Sequence, residues 1–265
     1  RVMNRLTAQY LIPASRPMTD HYSISASIFE MTPPHKAKAF VKKLGVGYLV
    51  KRQKWTWNFG LDRVWERWRL GKSDGYTNSK LLIPSISASY ASTNNTILVE
   101  NGFRLYVALQ GAYKPALSSV SFLQPLLNFK IIQTLWKSNR FIFSFNGGYT
   151  IVHGLKKLPL SQRFYAGGQG SLLGFGYQAI GPGRYLTVAN AAYQRQIHKA
   201  FYGEVFYGAG NAFNTFKKYA TNLKRSAGLA VVWRSPIGDL KVYWAKALSS
   251  KKKPNRFGFL LESEL

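Results

Sequence analysis

Apolar and small polar residues alternate with a period of two along most of this chain. Tyr22, Ile24, Ala26 and Ile28 alternate with Ser23, Ser25 and Ser27, and Trp55, Trp57, Phe59 and Leu61 with Thr56, Asn58, Gly60 and Asp62. Ile86, Ala88 and Tyr90 stand against Ser85, Ser87 and Ser89, and Phe103, Leu105, Val107 and Leu109 against Arg104, Tyr106, Ala108 and Gln110. Each run puts its apolar side chains on one face of a strand. Further strands are expected over 5–12, 40–50, 119–136, 141–152, 185–197, 201–210, 223–234, 240–247 and 256–265, which gives about thirteen strands and no helix of any length.

Such alternation suits a soluble sandwich, or a barrel with lipid outside and a polar interior. Connection lengths discriminate. Every second connection is tight (14–19, 51–54, 137–140, 198–200, 235–238), whereas those between are long (30–38, 66–77, 158–184, 211–222, 248–255). Short turns at one end and long loops at the other are the arrangement of an outer-membrane barrel, whose strands need only about 9–11 residues. The connection 93–102 is longer than this rule wants.

The stretch 158–184 interrupts the rhythm. Its 27 residues hold seven glycines and cannot themselves be a strand. A connection this long in a compact chain is functional or disordered, and Phe164, Tyr165, Leu172, Leu173, Phe175 and Tyr177 argue for packing. Gly168-x-Gly170-x-x-x-Gly174 misses the dinucleotide spacing, and no helix pattern follows it. A nucleophile elbow cannot be centred on Ser171.

Composition narrows the chemistry. Absence of cysteine excludes disulfides, thiolate metal sites and a cysteine nucleophile. The four histidines form no i, i+4 pair, and the ten acids form no evident pair, so neither a metal, a cofactor nor covalent catalysis is expected. A net charge of +27 would ordinarily suggest nucleic acid. With strands throughout and no nucleic-acid motif, anionic lipid or lipopolysaccharide is the partner expected instead. The long-loop end collects His35, Lys36, Lys38, Arg67, Arg69, Lys72, Lys156, Lys157, Lys217, Lys218, Lys251, Lys252 and Lys253. Such runs are a solvated face or a contact with lipopolysaccharide phosphates, and their gathering at one end favours the second.

Several motifs in order then resemble one family. Leu-Pro-Leu-Ser-Gln-Arg-Phe-Tyr-Ala-Gly-Gly, ending at Gly167 and Gly168, looks like the start of loop six of the BamA/TamA superfamily of outer-membrane assembly proteins, closer to TamA than to BamA. Ser171, Leu172, Leu173, Gly174 and Phe175 follow where that family has Val/Ile-Arg-Gly-Phe/Tyr. The stretches 208–213, 232–238 and 258–265 extend the resemblance over essentially the whole chain, 1–265, as one all-β transmembrane antiparallel barrel domain. The resemblance implies that 158–184 folds into the barrel, and that the first and last strands meet at a weak lateral seam. It also implies that Phe257, Phe259, Leu261 and Leu265 belong to the strand forming one side of that seam, which doubles as a sorting signal. Proteins of this kind insert other β-barrels, and TamA works with the periplasm-spanning TamB.

The chain departs from the family pattern at three positions. Leu173 stands where the signature arginine belongs, Gly208 replaces the wall aspartate, and Ala192 replaces a glutamate one strand earlier. Losing cation and anions together avoids the cost of an orphaned buried charge, about 3–5 kcal/mol. The connection is therefore expected to dock through Leu172, Leu173, Phe175 and glycine-mediated close contacts against a wall carrying Ala192, Gly208 and Gly210. Only about eight strands precede it where the family's sixteen-strand barrel has eleven, so a fragment lacking N-terminal strands and POTRA domains is expected.

The function expected is assembly or translocation of outer-membrane β-barrel or autotransporter clients by strand exchange at the seam, in the bacterial outer membrane. Lipopolysaccharide, unfolded clients and a TamB-like protein are the partners. The alternative is a degenerate barrel serving as a scaffold without insertase activity.

Overall fold

A computed structural model describes residues 2–34, 37–71, 73–93, 99–136, 138–215, 222–235, 238–250 and 254–262. One antiparallel sheet of fourteen strands dominates it. Its first half is a meander: β1 (Val2–Pro13), β2 (Asp20–Met31), β3 (Lys38–Arg52), β4 (Trp55–Arg69), β5 (Thr77–Thr93), β6 (Gly102–Ala112), β7 (Phe122–Leu135) and β8 (Asn139–Tyr149). A two-residue strand β9 (Ile151–Val152) pairs with β7. After the long connection the meander resumes beside β8 with β12 (Tyr185–His198), β13 (Phe201–Phe213), β14 (Lys224–Ser235), β15 (Gly238–Ala247) and β16 (Asn255–Glu262). The expected strands are all present, with 119–136 beginning later, at Phe122, and 141–152 divided into β8 and β9.

The connection differs from the sequence reading in one respect. It carries two short strands of its own, β10 (Phe164–Ala166) and β11 (Ile180–Gly183), paired with each other apart from the main sheet. Glycine composition hid them, because a strand of Ile-Gly-Pro-Gly has no side-chain alternation to read.

Alternation sorts each long strand into two faces. On β13, Tyr202, Glu204, Gly208, Gly210 and Ala212 are buried while Phe201, Val205 and Tyr207 are exposed. The same division gives an outer face of Trp57, Phe59, Leu61, Ile86, Val107, Leu109, Phe143, Val231 and Val242, each more than a third exposed. So continuous an apolar surface marks a membrane or protein interface.

Aromatic pairs rim this outer face at both ends. Toward the tight turns, Trp55 lies 5.0 Å from Tyr90, Tyr90 5.3 Å from Phe103, and Phe141 5.1 Å from Tyr193. Toward the long loops, Tyr149 stacks on Tyr185 at 4.6 Å and Tyr185 on Phe213 at 5.1 Å. An apolar band between two rows of aromatic residues suits a sheet surface that faces lipid.

Among the described residues, β1 and β16 each pair on one side only. Residues Leu6, Tyr10 and Leu11 leave β1 exposed on both faces.

Candidate functional site

The connection between β9 and β12 packs on the buried face of the sheet, and its own backbone geometry makes it compact. Gly167 and Gly168 take left-handed conformations, with φ of 100° and 89°, and turn the chain back on itself. The Ser171 hydroxyl accepts from the Gly167 N–H at 3.0 Å, and the Gly168 N–H donates to the Leu172 carbonyl at 3.0 Å. These bonds fix the hairpin that presents Leu172.

Leu172 is fully buried and packs with Phe164, Ala166, Ile180, Val188 and Ala212, with Phe175 partly buried beside them. Two glycines let the connection come this close. A Cβ on Gly208 would lie 2.9 Å from Leu172 Cδ2, and one on Gly174 would lie 2.7 Å from the Lys246 backbone of β15. Gly210 is close-packed on Val188 of β12 instead, and Ala192 lines the cavity below.

The earlier part of the connection is held by polar contacts. Ser161 donates from both its N–H and its hydroxyl to the buried Glu66 carboxylate of β4. Buried Arg163 stretches over Trp68 at 5.3 Å and donates to the Leu158 carbonyl at 2.7 Å. Gln124 of β7 donates to the Gln162 carbonyl at 3.0 Å. Tyr165 donates to the Leu160 carbonyl at 3.1 Å. Burial lowers the Arg163 pKa and raises that of Tyr165, so the phenol stays protonated well into alkaline solution.

Below Leu172 lies a cavity of about 600 Å³. Residues from β6 (Arg104) through β15 (Lys241) line it together with Gln169, Gly170, Ser171 and Leu173. In a flat sheet those two strands would stand roughly 29 Å apart at ~4.8 Å per strand. One cavity bounded by both requires a sheet that curls around it.

The floor of this cavity, toward the tight turns, is a buried charge network. Lys241 of β15 meets Glu204 of β13 at 2.5 Å, and Gln194 of β12 donates to the other Glu204 oxygen at 2.7 Å. Arg140 of β8 donates to Gln194 at 2.5 Å and approaches Asp239 at 4.0 Å, while Arg234 stands 3.9 Å from Asp239. Arg140 and Arg234 both reach the Val99 carbonyl, at 2.8 and 3.3 Å. Val99, from the connection 93–102, is itself buried and takes both guanidinium groups on its carbonyl. The network has no local signal: Glu204 on β13 and Lys241 on β15 stand two strands apart and are brought together only by the register of β14 between them.

Other anticipated residues fall as follows. Phe257, Phe259 and Leu261 share the outer face of β16 and are 80%, 78% and 56% exposed. Lys156 and Lys157 are exposed in a single 3-10 turn, Leu155–Lys157. His35, Lys36, Lys72, Lys217, Lys218, Lys251, Lys252, Lys253 and Leu265 lie outside the described residues.

Comparison with known proteins places this architecture. The chain is 27% identical over 135 residues to the outer membrane protein assembly factor BamA of Nitratidesulfovibrio vulgaris, covering 45% of this chain and 17% of that protein. Its fold is similar to BamA from Haemophilus ducreyi lacking POTRA domains 1–3, with a TM-score of 0.75 at 17% identity over 96% of this chain and 60% of that one. It is also similar to CdiB from Acinetobacter baumannii, with a TM-score of 0.51 at 12% identity over 96% of this chain and 55% of that one. The chain therefore spans less than two thirds of each of these relatives. A family model, the Omp85 superfamily domain, matches residues 25–261, and this bacterial outer-membrane chain belongs to that superfamily.

Proposed function

We propose that the chain is the membrane domain of an outer-membrane assembly or translocation factor of TamA type. In this reading the curled sheet closes as a barrel around 158–184, and unfolded β-barrel or autotransporter clients are received at a seam between its terminal strands. The observation that carries it is β16. Its outer face is strongly exposed, and it pairs with β15 alone among the described residues. An unpaired edge with a row of apolar side chains is a template for another strand. Clients would gain backbone hydrogen bonds there without any covalent step. Lys156 and Lys157 would meet lipopolysaccharide phosphates, and a TamB-like protein would dock from the periplasm.

A second reading, a scaffold without insertase activity, is favoured by the seating of the connection. Leu172 stands against Gly208, while the wall acid Glu204 is held by Lys241. The family's ionic lock is thus replaced by apolar contact, which leaves less to release during a working cycle.

One experiment separates them. The chain is reconstituted in liposomes, and the folding rate of a urea-unfolded outer-membrane protein is compared with that in empty liposomes. Assembly activity predicts an acceleration of about tenfold or more that is lost in Phe257→Ser/Phe259→Ser. No acceleration by the native chain would leave the scaffold reading.

A further inference from the structure

We propose that the outer face of β2–β5, at the long-loop end, is a binding site for a phosphorylated lipid of the outer leaflet, the lipid A part of lipopolysaccharide. The proposal rests on the outer-membrane location and not on assembly activity.

The site is a predominantly apolar groove of about 640 Å³. Strand register sets out its contents in rows. Ile28, Lys42, Trp65 and Lys80 face one another across β2, β3, β4 and β5. The next row toward the loops brings Phe40 beside Arg67, and the next away from them Leu44 beside Arg63. Ile28, Phe40 and Leu44 are 45%, 43% and 53% exposed, so this is the outer face. Apolar side chains form the floor, and Lys42, Arg67 and Lys80 stand among them. The Arg63 guanidinium lies 5.5 Å over the Trp65 ring and the Arg67 guanidinium 4.5 Å over Tyr76.

Among the described residues, none of Lys42, Arg63, Arg67 and Lys80 pairs with a carboxylate. Glu30, which shares the row of Phe40 and Arg67, is taken by Lys38 at 2.6 Å. Glu66 is turned inward and held by Ser161. A lipid-facing Lys or Arg costs about 2–4 kcal/mol at the bilayer midplane and less toward the interface. Arg63 donates to the Leu117 carbonyl at 2.6 Å; the other three, around one aromatic floor, are best compensated by an anion that brings its own acyl chains. Lipid A fits both halves of the groove: its phosphates would take charge-assisted hydrogen bonds from the lysines and arginines, and its chains would lie along Ile28, Phe40, Leu44 and Trp65. Long loops face outward in such barrels, which places the groove in the leaflet where that lipid resides.

The test uses native mass spectrometry of the full chain in neutral detergent, with bis-phosphorylated lipid A as the probe. The triple variant Lys42→Gln/Arg67→Gln/Lys80→Gln is compared with Arg16→Gln/Lys54→Gln/Arg195→Gln, which removes the same charge at the tight-turn end. Circular dichroism confirms that each preparation is folded. Half-saturation by lipid A should move to about tenfold higher concentration in the first variant and stay in place in the second. Dephosphorylated lipid A should bind the native chain as weakly as the phosphorylated form binds the first variant. Equal binding by the native chain and the first variant overturns the proposal, as does indifference of the native chain to the phosphates. Client folding in liposomes is measured separately. Its absence beside retained lipid discrimination would remove the assembly function and leave this site standing.

Discussion

Leu172 of the long connection stands over Gly208 of β13, close enough that a Cβ at 208 would meet its Cδ2 at 2.9 Å. A methyl group at 208 would also meet the Asn190 amide oxygen, so the bare backbone at this position leaves room for both side chains.

Gly208→Ala should therefore lower stability by about 1–3 kcal/mol, the usual cost of overpacking. In a Leu172→Ala background the same substitution should cost less, the remainder being the meeting of the new methyl with the Asn190 amide oxygen. Thermal unfolding of the four proteins of the cycle, followed by circular dichroism in detergent, measures the coupling. Strict additivity would show that Leu172 and Gly208 do not restrain each other.

Introducing a cation alone, by Leu173→Arg, should also destabilise. Leu173 lines the cavity whose acids, Glu204 and Asp239, already face Lys241, Arg140 and Arg234. Partial hydration keeps the loss to roughly 1–2 kcal/mol, below the ~3–5 of a dry site. Leu173→Met is the volume-matched control, and an unchanged melting temperature for Leu173→Arg would count against an apolar seating.

Within the network, Lys241→Met strands the buried Glu204 carboxylate and should cost about 3–5 kcal/mol. Glu204→Gln added to it should recover most of that loss. If the double variant is no more stable than the single one, the interaction at 2.5 Å is not what holds these strands.

Tyr165 makes stability fall in alkali. Its folded pKa is raised by burial above the ordinary ~10, so the unfolded chain releases the proton first. The contribution is complete below pH ~10 and is lost as pH climbs toward the folded value. Tyr165→Phe should be less stable at neutral pH by about 1 kcal/mol, through loss of the bond to the Leu160 carbonyl. It should also show a shallower decline between pH 9 and 11, and parallel declines would exclude this tyrosine as their source.

The strands were legible because a half-buried sheet writes its two faces into alternate residues, as Trp57, Phe59 and Leu61 do against Asn58, Gly60 and Asp62. Turn lengths gave the two ends. The importance of 158–184 was legible from glycine content and aromatic residues. What it touches was not, since Ser161 meets Glu66 across 95 positions and no local pattern encodes that meeting. The charge network was hidden for the same reason: Arg140, Glu204 and Asp239 sit on strands whose register, rather than sequence spacing, unites them. The basic loops could be counted but not placed, and most of their lysines remain outside the described residues.

The seating of the long connection also orders events in time. Its Ser161 needs Glu66 of β4, far behind it in the chain, while its Gly174 needs the Lys246 backbone of β15, which is synthesised long after it. Contacts of such separation form slowly, because loop closure must precede their reward. The connection can settle only once both arms of the sheet have curled toward each other, so it acts as a check on completion: a chain that has paired its strands but not yet bent them has nowhere to put Leu172.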